Sequence, residues 1–204
     1  MEHAIIVEFH VKPAVRGDFL TALTRHVEWT RANEKGCEQF DMHVDKKDPN
    51  TIYLYEIYKD DAALTEHRAS PSLKIFQEAN KDMVASRTAW QAHRRLTAKS
   101  NNAPKPQPGG HAAIVALKIK PESTASYLAS MDAHVREFTG VEPGCLQFDV
   151  VIDKSDPNAV FFYEQWQSPE AHQTHFNAPL LQGFLKQTNH MIAERTPPRL
   201  SNRI

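Results

Sequence analysis

Two sets of residues could carry proton-transfer chemistry. The first is His26, Glu56 and His67. The second is His134, Glu164 and His175, and it stands 108 residues further along the chain. Glu56 and Glu164 lie inside the aromatic runs YLYEIY and FFYEQW. A carboxylate among apolar neighbours is costly unless it is paired or protonated, and such desolvation raises its pKa into the range of acid–base work. The alternative is a structural ion pair with an arginine or lysine. His67 and His175 follow the glutamates by eleven residues, enough chain to fold an imidazole back onto the carboxylate. A Glu–His pair of that kind fixes the tautomer and raises the basicity of the ring. The plain alternative is an exposed histidine on a helix. His26 and His134 fall in the apolar stripe of a helix, where a lone histidine would simply pack. Recurrence at equivalent points favours a role for all six. His26, Glu56 and His67 also spell a two-histidine, one-carboxylate set that suits ferrous iron. Their spacing matches no local metal motif, so a metal-free site is ranked above it.

Five aromatic residues are candidates to line a binding pocket: Tyr55, Tyr163, Trp29, Phe138 and Trp166. Each also suits the core. Cys37 and Cys145 read as small buried apolar residues, since nothing near them in sequence would lower a thiol pKa. Gln39 and Asp41 share a strand face, as do Gln147 and Asp149. They read as polar satisfiers of the barrel, with no catalytic role assigned.

The elements that must position these residues are written twice. EKGCEQFDM (34–42) and EPGCLQFDV (142–150) align at the 108-residue shift. The same shift superposes Lys12-Pro13 on Lys120-Pro121, Asp48-Pro49-Asn50 on Asp156-Pro157-Asn158, Tyr55-Glu56 on Tyr163-Glu164, and Arg87-Thr88 on Arg195-Thr196. Two domains are expected, 1–98 and 111–204, joined by the Pro/Gly/Asn-rich linker 99–110. In each, a strand (3–11, 111–119) precedes a helix, then a hairpin of two strands around the DPN turn. A helical segment (60–84, 168–190) and a last strand (86–97, 194–200) complete it. The order βαββαβ is that of a ferredoxin-like unit, so the class is α+β. FFYEQW carries large apolar groups on both faces, so both faces of the sheet should be covered. The sheet of the other repeat is the natural cover, which predicts two sheets packed into an eight-stranded, barrel-like core within one chain, a pseudo-dimer.

Gross composition sets the outer bounds. A net charge of −1 over 204 residues gives no reason to expect nucleic acid or an acidic membrane as partner. No apolar run approaches the ~18 residues of a membrane span, and the first residues lack the pattern of a secretion signal. Two cysteines make no disulfide framework. A cytoplasmic location is expected.

With these motifs in hand, the chain resembles the antibiotic biosynthesis monooxygenase family of dimeric α+β barrels. The resemblance rests on a histidine in the first helix, E-x-G-C-x-Q-F-D before the second strand, Y-E on the third, and A-x-x-x-H followed by P-x-L. All occur in both repeats. It implies oxygenation of a small aromatic, quinol-like or polyketide-like substrate with no metal or organic cofactor. The resemblance implies an active-site histidine at His26 and His134. The leading reading takes His67 and His175 as base, Glu56 and Glu164 as orienting carboxylates, and His26 and His134 as groups that hold the substrate oxygen. Base and binder could exchange. Family members usually dimerise through single domains, so this fusion leaves further homodimerisation open. Two other functions fit the same residues: an isomerase of a small hydroxy-ketone, like autoinducer-processing relatives, or a non-catalytic ligand-binding or stress protein. A phosphorylated substrate would need a basic pocket. Arg25, Arg68 and Lys74 could supply it in repeat one, but Ala133, Phe176 and Gln182 stand at those positions in repeat two. Haem degradation ranks lower, because Trp90 faces Pro198 at the repeat shift.

Overall fold

The computed structural model describes residues 2–99, 107–139, 142 and 144–204. Positions 100–106 of the expected linker, and Pro143 within EPGCLQFDV, lie outside the described residues. The chain divides into two compact units, Met1–His93 with Ile204, and Arg94–Arg203.

The first unit runs β1 (His3–Val11), α1 (Arg16–Asn33), β2 (Cys37–Asp45), β3 (Thr51–Tyr58), α2 (Asp61–Ala69), α3 (Pro71–Asn80) and β4 (Val84–Ala98) as far as His93. β1 pairs antiparallel with both β3 and β4, and β2 with β3. The order β4-β1-β3-β2 is the ferredoxin-like one. Helix α1 buries Phe19, Leu23, His26, Val27 and Thr30, one stripe at helical spacing, and so carries His26 into the core. Ile5, Val7, Phe9, Phe40, Leu54 and Tyr58 meet it from the sheet. Every residue of β3 is buried, so both of its faces are covered.

The second unit repeats the plan with β5 (His111–Ile119), α4 (Thr124–Thr139), β6 (Cys145–Asp153), β7 (Ala159–Trp166), α5 (Pro169–Asn177), α6 (Pro179–Thr188), β8 (Ile192–Arg195) and β9 (Arg199–Arg203). β5 pairs with β7 on one side and with β8 and β9 on the other, and β6 pairs with β7.

Three boundaries differ from the sequence reading, each for a reason carried by proline. The helical segment after β3 breaks at Ser70. That residue is C-cap of α2 and N-cap of α3 at once, and its Oγ accepts from the Leu73 amide at 3.2 Å. Pro71 disfavours helical backbone at Ser70 and then suits the first turn of α3. Ala178-Pro179 divides α5 from α6 in the same way. The last strand of the second unit is split around Pro197 and Pro198, which cannot donate to the ladder.

Gly36 and Gly144 sit where the chain enters β2 and β6 against a helix. A Cβ on Gly36 would lie 2.3 Å from the Ala63 Cβ, and one on Gly144 would lie 2.6 Å from that of Ala171. Gly36→Ala must therefore push α2 away from the strand. Overpacking of this kind costs about 1–3 kcal/mol. Urea unfolding of the variant should show a loss in that range. Unchanged stability would mean that α2 docks less tightly than its position implies.

Candidate active site

Glu56 stands mid-strand in β3. Its cross-strand neighbours are Ile5 on β1 and Phe40 on β2, and its side chain points to the helix-covered face between Leu54 and Tyr58. It is 5% exposed. Burial in this apolar setting pushes its carboxyl up to about 7, against the opposing pull of the Tyr58 hydrogen bond and the cations Arg87 and Arg68. The Tyr58 hydroxyl donates to Oε2 at 2.8 Å.

His67, in the last turn of α2, lies between two carboxyl groups. Nδ1 is 2.9 Å from Glu34 Oε2, and Nε2 is 3.8 Å from Glu56 Oε2. The second separation is too long for a hydrogen bond. An ionised Glu34 can only accept, so Nδ1 carries the hydrogen and Nε2 presents its lone pair toward Glu56. Burial, with the Arg68 cation beside it, lowers His67 to about 4, so the ring is neutral at pH 7. Burial also raises the Glu34 carboxyl above its ordinary value.

His26 completes the group. Its Nδ1 meets Ser72 Oγ at 2.9 Å, its ring stacks on Phe76 at 5.2 Å, and it stands 5.6 Å from the His67 ring. Burial, then repulsion from His67, lowers it to about 4. Glu56, His67 and His26 line a cavity of about 670 Å³ whose other walls are mostly apolar, among them Val7, Phe19 and Leu54. That volume suits a small organic ligand. Among the described residues no three His, Cys, Asp or Glu side chains are arranged to hold a metal ion, so His26, Glu56 and His67 do not form the ligand set that their types allowed.

In the second unit the pattern returns with changes. His175 Nδ1 lies 2.6 Å from Glu142 Oε2, and Trp166 Nε1 donates to Glu164 Oε2 at 2.9 Å. Glu142 and Trp166 thus take the parts of Glu34 and Tyr58. His172 stands at the position of Leu64. Its Nε2 is 3.4 Å from Glu164 Oε2, and its Nδ1 is 2.8 Å from His111 Nε2. Burial pushes Glu164 upward, but the bond and charge of His172, with His175 and Trp166, outweigh it and hold the carboxyl below its ordinary value. His134 stacks on Phe184 at 4.5 Å, and burial, then repulsion from His175, lowers it to about 4.

The aromatic candidates separate. Phe138 and Trp166 are buried with ring centres 4.7 and 4.6 Å from that of His175. Trp29 is 39% exposed on α1. At the repeat shift Phe138 falls on Thr30, and Trp29 on Glu137, so the two do not correspond. Tyr55 and Tyr163 are buried, each next to its glutamate in the strand and therefore on the opposite face, and Tyr55 is not among the cavity residues. Burial, chiefly, pushes the Cys37 thiol up to about 12 and also raises that of Cys145, which leaves both unreactive. Gln39 donates to Asp41 at 2.6 Å and Gln147 to Asp149 at 2.8 Å, along one strand face in each unit.

Glu34, Glu142 and Tyr58 escaped the sequence reading. The glutamates were visible in both copies of E-x-G-C, but a helix-end glutamate carries no chemical signal until its partner is placed. Tyr58 shares a strand face with Glu56 at a spacing of two, which could have flagged it. It holds Glu56 toward the ionised form. Tyr58→Phe should therefore raise the Glu56 pKa by about one unit, the worth of a hydrogen bond to a charged group. A carboxyl ¹³C titration would read the shift, and an unmoved value would show that Tyr58 only packs.

Comparison with known proteins follows the same division. The model of the antibiotic biosynthesis monooxygenase domain matches residues 3–79 and again 111–187. A protein of Synechocystis is 26% identical over 38% of this chain and 52% of its own. A candidate monooxygenase of Mycobacterium tuberculosis, Rv0793, is 35% identical over 33% of this chain and 65% of its own. The alignments thus span between half and two thirds of these curated relatives. The crystal structure of a candidate monooxygenase from Fusobacterium nucleatum superposes with a TM-score of 0.89 at 20% identity, covering 99% of this chain and 92% of that one, and so shares the fold. No helix among the described residues is long and apolar enough to cross a membrane. The chain belongs to the antibiotic biosynthesis monooxygenase family and carries its domain twice in tandem.

Proposed function

We propose that the repeat-one cavity oxidises a small phenol, quinol or anthrone-like compound with O₂, using Glu56 and His67 as an acid–base pair. One observation carries the reading: a fully buried carboxyl with a pKa of about 7, in a mostly apolar cavity, 3.8 Å from a neutral imidazole. A base is most effective when its pKa lies near the working pH, which favours Glu56 over His67 as proton acceptor. A substrate hydroxyl or acidic C–H seated against both groups would give its proton to Glu56. Nε2 of His67, which carries no hydrogen, would accept from a second hydroxyl of the substrate, with Glu34 fixing the ring. His26 would contact the far side of the substrate.

The resulting carbanion or phenolate is electron-rich and can be oxidised by O₂. At a CH₂ centre the balance is complete without a further reductant. One oxygen atom becomes the ketone, the other leaves as water, and the two substrate hydrogens supply that water. The protein contributes deprotonation, positioning and exclusion of solvent.

The test is oxygen uptake with a panel of hydroquinones and anthrones, comparing wild type, His67→Ala and His175→Ala. The expected result is uptake that His67→Ala removes and His175→Ala largely keeps. Product formation that persists without oxygen would overturn the oxygenase reading and favour proton shuffling on a hydroxy-ketone. Absence of turnover on every compound would count against any phenol oxidation and favour a binding role.

A further inference from the structure

The rim of the same cavity carries a cluster of cations, two of which, Arg68 and Arg87, also bias Glu56 toward its ionised form. Arg68, Lys81 and Arg87 all belong to the cavity lining, and all three are exposed. Glu56 is the one acid among the lining residues, and it lies buried within. Lys81 is matched by Glu78 at 2.5 Å, an exposed pair one helical turn away. Arg68 and Arg87 have no ion-pair partner among the described residues. The Arg87 guanidinium lies 5.7 Å over the Phe9 ring, which is itself a wall of the cavity. That stacking holds the planar fork at the cavity instead of leaving it to sweep through solvent. Of the three cations considered from sequence, Arg68 lines the cavity, whereas Arg25 and Lys74 are exposed and lie outside its lining.

The second repeat lacks the pattern. At the 108-residue shift Arg68 becomes Phe176, Lys81 becomes Asn189, and only Arg87 is kept, as Arg195. A solvating charge needed for solubility would have no reason to gather at one cavity and not at its copy.

We propose that the ligand of the repeat-one cavity is an aromatic compound bearing an anionic group, carboxylate or phosphate, held at the rim by Arg68 and Arg87 while its ring enters the apolar interior. The inference rests on this cavity being the substrate site, as proposed above. Guanidinium groups suit both oxyanions through paired N–H donors. At an exposed rim each such contact is worth roughly a two- to fivefold gain in affinity. Two together should give a preference of about tenfold.

The experiment is equilibrium binding, which needs no turnover and so stands apart from the oxidation assay. The probes share one ring and differ in charge: 2-naphthol, 2-naphthoate and 2-naphthyl phosphate, titrated calorimetrically at pH 7.5 into the full chain. Wild type should bind at least one of the anions about tenfold tighter than 2-naphthol, and added salt should shrink the gap. Arg68→Ala/Arg87→Ala should bring all three ligands to similar affinity with thermal stability unchanged. Both residues are exposed, so the fold should tolerate the change. A preference for naphthoate alone would identify a carboxylate site, and for naphthyl phosphate alone a phosphate site. Equal binding of the three by wild type, binding of none, or a preference that survives the double variant would each overturn the proposal.

Discussion

Glu56→Gln is expected to lower oxygen uptake by about 10²- to 10⁴-fold, the usual worth of a positioned acid–base group. Glutamine keeps the shape and can still accept from the Tyr58 hydroxyl, so folding should be preserved. The pH profile gives a sharper signature. In wild type, kcat/KM should fall as the pH drops through about 7, because protonating Glu56 removes the acceptor. His67 and His26 cannot cause that limb, since both stay neutral down to about 4. Residual activity in Glu56→Gln should be flat across neutral pH. A wild-type limb displaced to about 4 would instead assign the proton transfer to an imidazole.

The second large effect is acid lability. His26, His67 and His134 are lowered from 6.5 to about 4, in each case mainly by burial. Between those values the folded chain binds fewer protons than the unfolded chain. Stability is therefore full above pH 6.5 and is lost as the pH falls toward 4. A shift of this size corresponds to at most about 3 kcal/mol for a ring fully shielded from water, and solvent screening reduces it here. Glu56 acts in the opposite sense. Its raised value means that the folded chain holds a proton that the unfolded chain has lost, so it destabilises as the pH rises from 4.5 to about 7. Three rings against one carboxyl leave a net loss of stability in acid. Urea unfolding at pH 7, 5.5 and 4 should show a steep decline, and His26→Phe should flatten it. His26 already stacks on Phe76, so phenylalanine replaces it within an aromatic setting. A wild-type stability that does not change from pH 7 to 4 would mean that these rings open to water at little cost.

Much of this fold is legible in the sequence because the repeat reports on itself. Matching glycines, prolines and DPN turns fix the order of elements before any is placed. The helix breaks at Ser70 and Ala178 were also within reach, since a proline follows each. They were obscured because apolar residues continue on both sides. The site is less legible for a geometric reason. Glu56 and His67 could be singled out by residue type and burial cost. Glu34 belongs to the group only because α1 ends where α2 passes, a closeness that Gly36 permits and that no local spacing encodes. Tyr55 fails as a pocket residue by strand parity alone, as neighbour of the glutamate that points in. At the carboxyl of the second site the largest change is His172 in place of Leu64, a ring that, with Trp166 and His175, turns a destabilised carboxyl into a partnered one.

The most direct test needs no substrate. Site-selective ¹³C labelling of glutamate carboxyls, with Glu56→Gln to assign the resonance, would follow the titration of Glu56 itself. A midpoint near 7 is expected, raised further in Tyr58→Phe. A midpoint near the ordinary 4.5 would mean that Glu56 is solvated or stably paired, and would remove the group on which the proposed chemistry turns.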